Sequence, residues 1–100
     1  MIKNYYDKDS QATCEADQLK NVPPQFRHLA ERIWRKIDIL DAAPNSKFCE
    51  KILGKKNYKP LKGERKGQYA IKVNDQYRIC FRWGKDNHAY DVEVNKHYWD

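Results

Sequence analysis

Apolar positions along the chain keep a helical period in one stretch and a period of two in another. Phe26, Ala30, Ile33, Ile37 and Leu40 recur at helical spacing, with Leu29 and Trp34 beside them. Arg27, Glu31, Arg32, Arg35, Lys36 and Asp38 fill the other face, and Glu31–Arg35 is an i,i+4 pair in the favourable orientation. Pro23 and Pro24 suit a first helical turn, where a missing N–H has no intrahelical partner, and Pro44 stops the run. The pattern predicts an amphipathic helix between these prolines, with Trp34 read as core. A second short helix is expected over 46–53, stopped by Gly54, then a basic linker over 55–67 closed by Gly63 and Gly67. From residue 68 onward the period becomes two. Tyr69, Ile71 and Val73, then Tyr77, Ile79, Phe81 and Trp83, then Tyr90, Val92 and Val94 alternate with polar or small residues, which predicts three strands with one buried face each. Residues 2–6 read as a short strand or strand edge. Residues 7–22 are polar, with part of them a possible short helix.

The alternation sets a register, because a one-residue slip would turn every apolar side chain outward. A three-residue turn at Asn74-Asp75-Gln76 pairs Ile71 with Ile79 and Tyr69 with Phe81. A four-residue turn from Gly84 to Asn87 pairs Trp83 with His88, Phe81 with Tyr90 and Ile79 with Val92. The other face then carries three rows: Lys72, Arg78 and Glu93; Ala70, Cys80 and Asp91; Gln68, Arg82 and Ala89. His97 joins this face if the last strand continues. Lys72 directly opposite Arg78 is a like-charge pair that something must neutralise. Two readings stand side by side. One is a solvated charged face with an Arg78–Glu93 pair of small energetic value. The other is an anion site that Lys62 closes over, with Ala70 and Cys80 as a shallow floor.

Charge changes this picture. Of the net +6, the stretch 45–72 holds an excess of +7 and the remainder nearly cancels. Concentrated positive charge points to a polyanionic partner, most simply a phosphate backbone. Composition excludes other classes. At 100 residues with 40% apolar and 13% aromatic content, the chain is expected to form one domain spanning residues 1–100, with one modest core. No apolar run approaches the ~18 residues of a membrane span, and MIKNYYDKDS has no apolar core for a secretory signal. Cys14, Cys49 and Cys80 are odd in number and badly spaced for bridges, so reduced thiols and a cytoplasmic location are expected. His28, His88 and His97 lack metal-ligand spacing, and no metal or cofactor is expected. No phosphate-binding glycine loop or serine triad is present. What remains is a set of cations and one terminal histidine. That set suits RNA binding, or RNA cleavage by the 2′-OH, which mainly needs in-line geometry and stabilised phosphate charge.

The stretch LKGERKGQYAIKVNDQYRICFRW (Leu61 to Trp83), followed by YDVEVNKHY (Tyr90 to Tyr98), resembles the HigB-type toxins of the RelE/ParE toxin–antitoxin superfamily. IDILDAA (Ile37 to Ala43) and the opening Met-Ile-Lys fit the same pattern, whereas residues 7–22 and 46–59 match poorly. The resemblance implies an α+β fold, an N-terminal strand and helices packed on a curved antiparallel sheet. It also implies a ribosome-dependent, metal-independent endoribonuclease that cuts mRNA during translation. Such a toxin is neutralised by a HigA-like helix-turn-helix antitoxin, and the complex binds operator DNA. Lys62, Arg78, His97 and Tyr98 are the catalytic candidates it implies, with Arg65 matching a basic residue of the same motif; beside them Lys59, Arg65, Lys66, Lys72, Asn74 and Arg82 are read as the RNA-binding candidates. Members often end the last strand Asp-Tyr-His, whereas this chain reads Lys96-His97-Tyr98. Two alternatives share the pattern: a ParE-like inhibitor of DNA gyrase without ribonuclease chemistry, and a non-enzymatic basic RNA-binding module.

Overall fold

A computed structural model describes residues 1–99. The chain forms α1 (Lys8–Glu15), α2 (Ala30–Ala42) and α3 (Ser46–Leu53), then four strands, β1 (Tyr58–Pro60), β2 (Tyr69–Lys72), β3 (Tyr77–Trp83) and β4 (Ala89–Lys96). The strands make one antiparallel sheet in the order β1-β2-β3-β4. The helices cover one face of it, and the α+β class expected from the sequence is the one observed.

The helical stretch starts differently from the pattern. Residues Pro24–Leu29 wind as a tight 3₁₀ turn, with Phe26 N–H bonded to the Pro23 carbonyl at 2.9 Å. Leu29 leaves helical geometry (φ −116°, ψ 3°), so the α-helix itself begins at Ala30. Ala30, Ile33, Ile37 and Leu40 are buried as the spacing requires. Trp34 packs against the core and its indole N–H donates to the Thr13 carbonyl at 2.9 Å. The expected Glu31–Arg35 ion pair does not form; on an exposed helix face it would add little.

Helix α1 explains why residues 7–22 read poorly. Asp7 caps it through Ser10 N–H at 2.8 Å, a sound local start. Its buried residues are Ser10 and Thr13, not hydrophobes. The Ser10 hydroxyl accepts from Val94 N–H at 2.9 Å, and Thr13 Oγ1 donates to the Asp9 carbonyl at 2.7 Å. Satisfied hydroxyls replace apolar contacts at this interface, so hydropathy shows nothing. Helix α3 follows its sequence signals closely: Asn45 caps Phe48 N–H at 3.0 Å, and Gly54 at φ +80° ends it.

The N-terminal segment lies parallel to β4, bridging Ile2 to Ala89 and Tyr5 to Val92, in keeping with a strand edge. The 55–67 stretch is more than a linker. It contains edge strand β1, paired Tyr58 to Ile71 and Lys59 to Ala70. A three-residue edge strand ending in proline has too little alternation to announce itself. Tyr58 turns inward and stacks on Tyr69 with ring centroids 5.4 Å apart. Its hydroxyl accepts from the Trp83 indole at 2.9 Å and bonds the Ser46 hydroxyl at 2.6 Å. Burial pushes that hydroxyl's pKa up to about 12, against the lowering effect of these two partners.

The first hairpin has the expected register, with Ile71 opposite Ile79, Tyr69 opposite Phe81 and Lys72 opposite Arg78. The second does not. Trp83 faces Ala89, Arg82 faces Tyr90, and Phe81 meets an extra residue before pairing resumes at Cys80–Glu93, Ile79–Val94 and Arg78–Asn95. Asp91, at φ +56°, occupies this bulge in the left-handed region that Asp tolerates better than most residues. The bulge keeps Ala89, Val92 and Val94 all on the core face. Tyr90, expected inside, instead lies outside with its ring 4.8 Å from the Arg82 guanidinium carbon. Gly84 allows that packing, because a Cβ there would collide with the Tyr90 ring.

Candidate active site on the outer face of the sheet

The corrected register rebuilds the polar face. Lys72, Arg78 and Asn95 form one row, and Ala70, Cys80 and Glu93 the next. Lys59 on β1 extends the second row, because it pairs with Ala70. After β1 the chain leaves the sheet at Leu61 and Lys62, turns at Gly63 (φ +66°) through a short 3₁₀ segment, and returns at Gln68. Leu61 N–H to the Gln68 carbonyl at 2.8 Å closes this loop. It stands over the sheet as one wall of a cleft of about 700 Å³, lined by Lys59, Lys62, Arg65, Arg78 and His97 with Pro60, Leu61 and Glu64.

Arg65 folds back from the loop onto the sheet. Its Nη1 donates to Glu93 Oε1 at 3.0 Å and to Gln68 Oε1 at 3.1 Å. Burial works against the Arg65 charge, but the hydrogen bond and attraction of Glu93 outweigh it and hold the guanidinium above its ordinary pKa. Glu93 is therefore taken by Arg65, and the Arg78–Glu93 pair that the solvated-face reading required does not form.

Arg78 forms the floor and is only 7% exposed. Among the described residues no carboxylate lies within ion-pair distance of it. Its Nε donates to Asn95 Oδ1 at 3.1 Å. Lys72, opposite it, is drawn away to Asp75 at 3.1 Å, which relieves the like-charge contact. A buried cation without a counter-charge is costly on its own and becomes favourable when an anion arrives.

His97 closes the other side of the cleft. Its backbone N–H bonds the Gln76 carbonyl at 2.8 Å, so the tail runs along the β2–β3 turn. Its Nδ1 lies 2.9 Å from the Tyr98 carbonyl. A carbonyl only accepts, so Nδ1 carries the hydrogen and Nε2 is left for a substrate. Trp99 fastens the tail: its indole N–H donates to the Lys56 carbonyl at 2.9 Å, its backbone N–H to the Asp75 carbonyl at 2.9 Å, and its ring lies 4.4 Å from Lys59 Nζ.

Of the residues expected from the sequence, the cleft brings together Lys59, Lys62, Arg65, Arg78 and His97. The others lie outside its lining. Tyr98 is 70% exposed. Lys66 is exposed on the loop. Asn74 spends its side chain on the β2–β3 turn, accepting from Gln76 and Tyr77 N–H at 2.8 Å each. Arg82 is paired with Asp91 at 2.8 Å. Asn95 and Trp99 were missed. The clue to Asn95 was the spacing of Ala89, Val92 and Val94, which fits one buried face only if the strand carries an extra residue.

A small α+β protein with a cationic cleft of this design on its sheet has the architecture of a RelE-like toxin. The family model for the RelE-like toxin of type II toxin–antitoxin system HigB matches residues 2–98, and the chain belongs to that family. Toxin HigB-1 of Vibrio cholerae serotype O1 is 31% identical over 83 residues, which cover 83% of this chain and 84% of that toxin. As a toxin of a type II system, the protein has an antitoxin as its partner. Among the described residues, no helix is long and apolar enough to cross a membrane.

Proposed function

We propose that this toxin is a ribosome-dependent endoribonuclease that cleaves mRNA during translation. The observation that carries this reading is Arg78: nearly buried, at the floor of a cationic cleft, and without a carboxylate partner among the described residues. Such a group fits a phosphodiester, and the neighbouring side chains suit its cleavage. The 2′-OH attacks phosphorus as its proton passes to solvent water, the bond to the 5′ oxygen breaks as that oxygen takes up a proton, and the products are a 2′,3′-cyclic phosphate and a 5′ hydroxyl. Arg78 and Lys62 hold the phosphate and stabilise its growing charge. With Nδ1–H held by the Tyr98 carbonyl, His97 acts as general acid in its imidazolium form, passing the Nε2 proton to the leaving 5′ oxygen and ending as the neutral Nδ1–H tautomer. Its place in the cleft lining makes it a better donor than Tyr98, which lies outside that lining. All these groups come from the protein, so the chemistry requires no metal. Lys59, Arg65, Lys66, Lys72 and Arg82 position the RNA backbone on either side, and Asn74 holds the turn beside them. The reading includes a HigA-like helix-turn-helix antitoxin in the cytoplasm, with operator DNA bound through the complex.

The test is induction of the wild type and of the Lys62→Ala/Arg78→Ala variant in cells, followed by primer extension on abundant mRNAs. Codon-linked cuts and growth arrest with the wild type, both lost in the variant, are expected. Unchanged cleavage in the variant overturns the reading. Gyrase-dependent DNA damage with intact mRNA would assign the protein to the ParE-like class instead, and salt-sensitive RNA binding without toxicity to a simple binding module.

A further inference from the structure

We propose that Asn95 is a positioning residue for Arg78, and that its neutrality is what keeps the cleft open to phosphate. This inference rests on the anion-binding role of Arg78 above. Asn95 stands directly opposite Arg78 in the sheet and takes its Nε–H at 3.1 Å. Arginine has no acceptor, so the amide oxygen of Asn95 must face it. The amide nitrogen then points to Cys80, where Nδ2 lies 3.4 Å from Sγ. Cys80 is buried in the adjoining row and offers a weak acceptor there. The amide is thus held from both ends, and it fixes the guanidinium by its inner nitrogen. Among the described residues neither terminal nitrogen is engaged, which leaves both for the two oxygens of a phosphate, the fork geometry in which arginine binds anions best.

The charge of the residue at this position matters as much as its shape. A carboxylate in the same place would grip Arg78 as Glu93 grips Arg65 at 3.0 Å. An amide orders the side chain without cancelling its charge. The bulge at Asp91 produces this arrangement, because an unbroken β4 would set Glu93 opposite Arg78.

The experiment uses ribosomes programmed with a defined mRNA and measures the single-turnover cleavage rate and the half-saturating toxin concentration separately. Asn95→Ala should lower the rate on the order of 10- to 100-fold, with half-saturation changed less than about twofold, since a displaced cation still attracts RNA but misses the transition state. Asn95→Asp should also raise the half-saturating concentration, on the order of tenfold, because it cancels the charge. The Arg78 Nε–H resonance should be resolved and slowly exchanging in the wild type and lost in Asn95→Ala. In an Arg78→Lys background, Asn95→Ala should cost less than about twofold more. Thermal unfolding checks the fold, and Asn95→Ser replaces the alanine variant if that fails to fold. Wild-type rates in Asn95→Ala and Asn95→Asp overturn the proposal, as does an equal loss in the Arg78→Lys background, which would mark a purely structural role. If Arg78→Ala is inactive while Asn95→Ala is fully active, only the positioning role fails. If Arg78→Ala itself cleaves normally, the endoribonuclease reading fails and this inference with it.

Discussion

Arg65 and Arg78 work on adjacent rows of the same sheet face and have opposite surroundings. Arg65 reaches a carboxylate, Glu93, that is 12% exposed and holds it at 3.0 Å. Arg78 is more deeply buried, and among the described residues its side chain bonds a neutral amide and no carboxylate. The first arrangement is self-contained and ties the loop over 61–68 to the sheet. The second leaves a buried cation without a carboxylate partner among the described residues, which on the proposed function is the place a phosphate fills. Density of positive charge therefore does not distinguish these two arginines; the counter-charge each one meets among the described residues does.

Exchanging each arginine for a neutral side chain of similar length separates the two roles. Arg78→Met should reduce mRNA cleavage at least about 100-fold, the scale of removing a key charge-stabilising group. The same variant should be as stable as the wild type or more stable by about 1 kcal/mol, because it replaces a buried uncompensated charge with apolar surface. Chemical denaturation checks this, and a clear loss of stability would show that Arg78 serves the fold. Arg65→Met should behave in the opposite way. It leaves Glu93 without its partner and should cost about 1–2 kcal/mol in stability, with a smaller loss of cleavage than Arg78→Met.

The bulge that sorts the carboxylate from the amide is the next place to press. Asp91→Val forces a β-branched residue into φ +56° and should destabilise by about 1–2 kcal/mol. Asp91→Gly relieves the backbone and loses only the exposed pair with Arg82, so it should lie within about 1 kcal/mol of the wild type. Cleavage should follow the same order if the bulge keeps Glu93 away from Arg78.

Trp99→Ala should lower cleavage less than about tenfold with little change in stability, since it frees the tail that carries His97 but removes no charge from the cleft. The effect that touches cleavage least concerns pH and the opposite side of the sheet. Burial raises the thiol pKa of Cys14 to about 12 and of Cys49 to about 11, both from an ordinary value of 9.0. Their contribution to stability is complete below pH 9 and is lost as pH rises toward those values, because the unfolded chain releases the protons first. Thermal unfolding between pH 7 and pH 11 should show this decline, and a Cys14→Ala/Cys49→Ala variant should flatten it. An unchanged slope would assign the decline to other groups, such as Tyr5 and Tyr58.

Much of this was legible in the residues alone. Helical spacing placed Ile33, Ile37 and Leu40 on one face, Gly54 stopped a short helix over 46–53, and alternation set the register of the first hairpin. These signals are local: each depends on residues a few positions apart and on one buried face. Lys59, Lys62, Arg65, Arg78 and His97 were also reached from sequence, and the fold gathers them into one cleft. Helix α1 was legible only as a short helix somewhere within 7–22, because its buried residues are Ser10 and Thr13 rather than hydrophobes. Strand β1 escaped because its partner strand supplies the alternation it lacks.

The sequence by itself determined the helix–sheet class, the concentration of positive charge and the cations available to a phosphate. Only the tertiary structure decided which of them are already neutralised. One extra residue at Asp91 reverses the parity of β4, sends Glu93 to Arg65 and brings Asn95 to Arg78. That choice arises because Ala89, Val92 and Val94 must all be buried against the same core, a demand that no window of the strand states by itself.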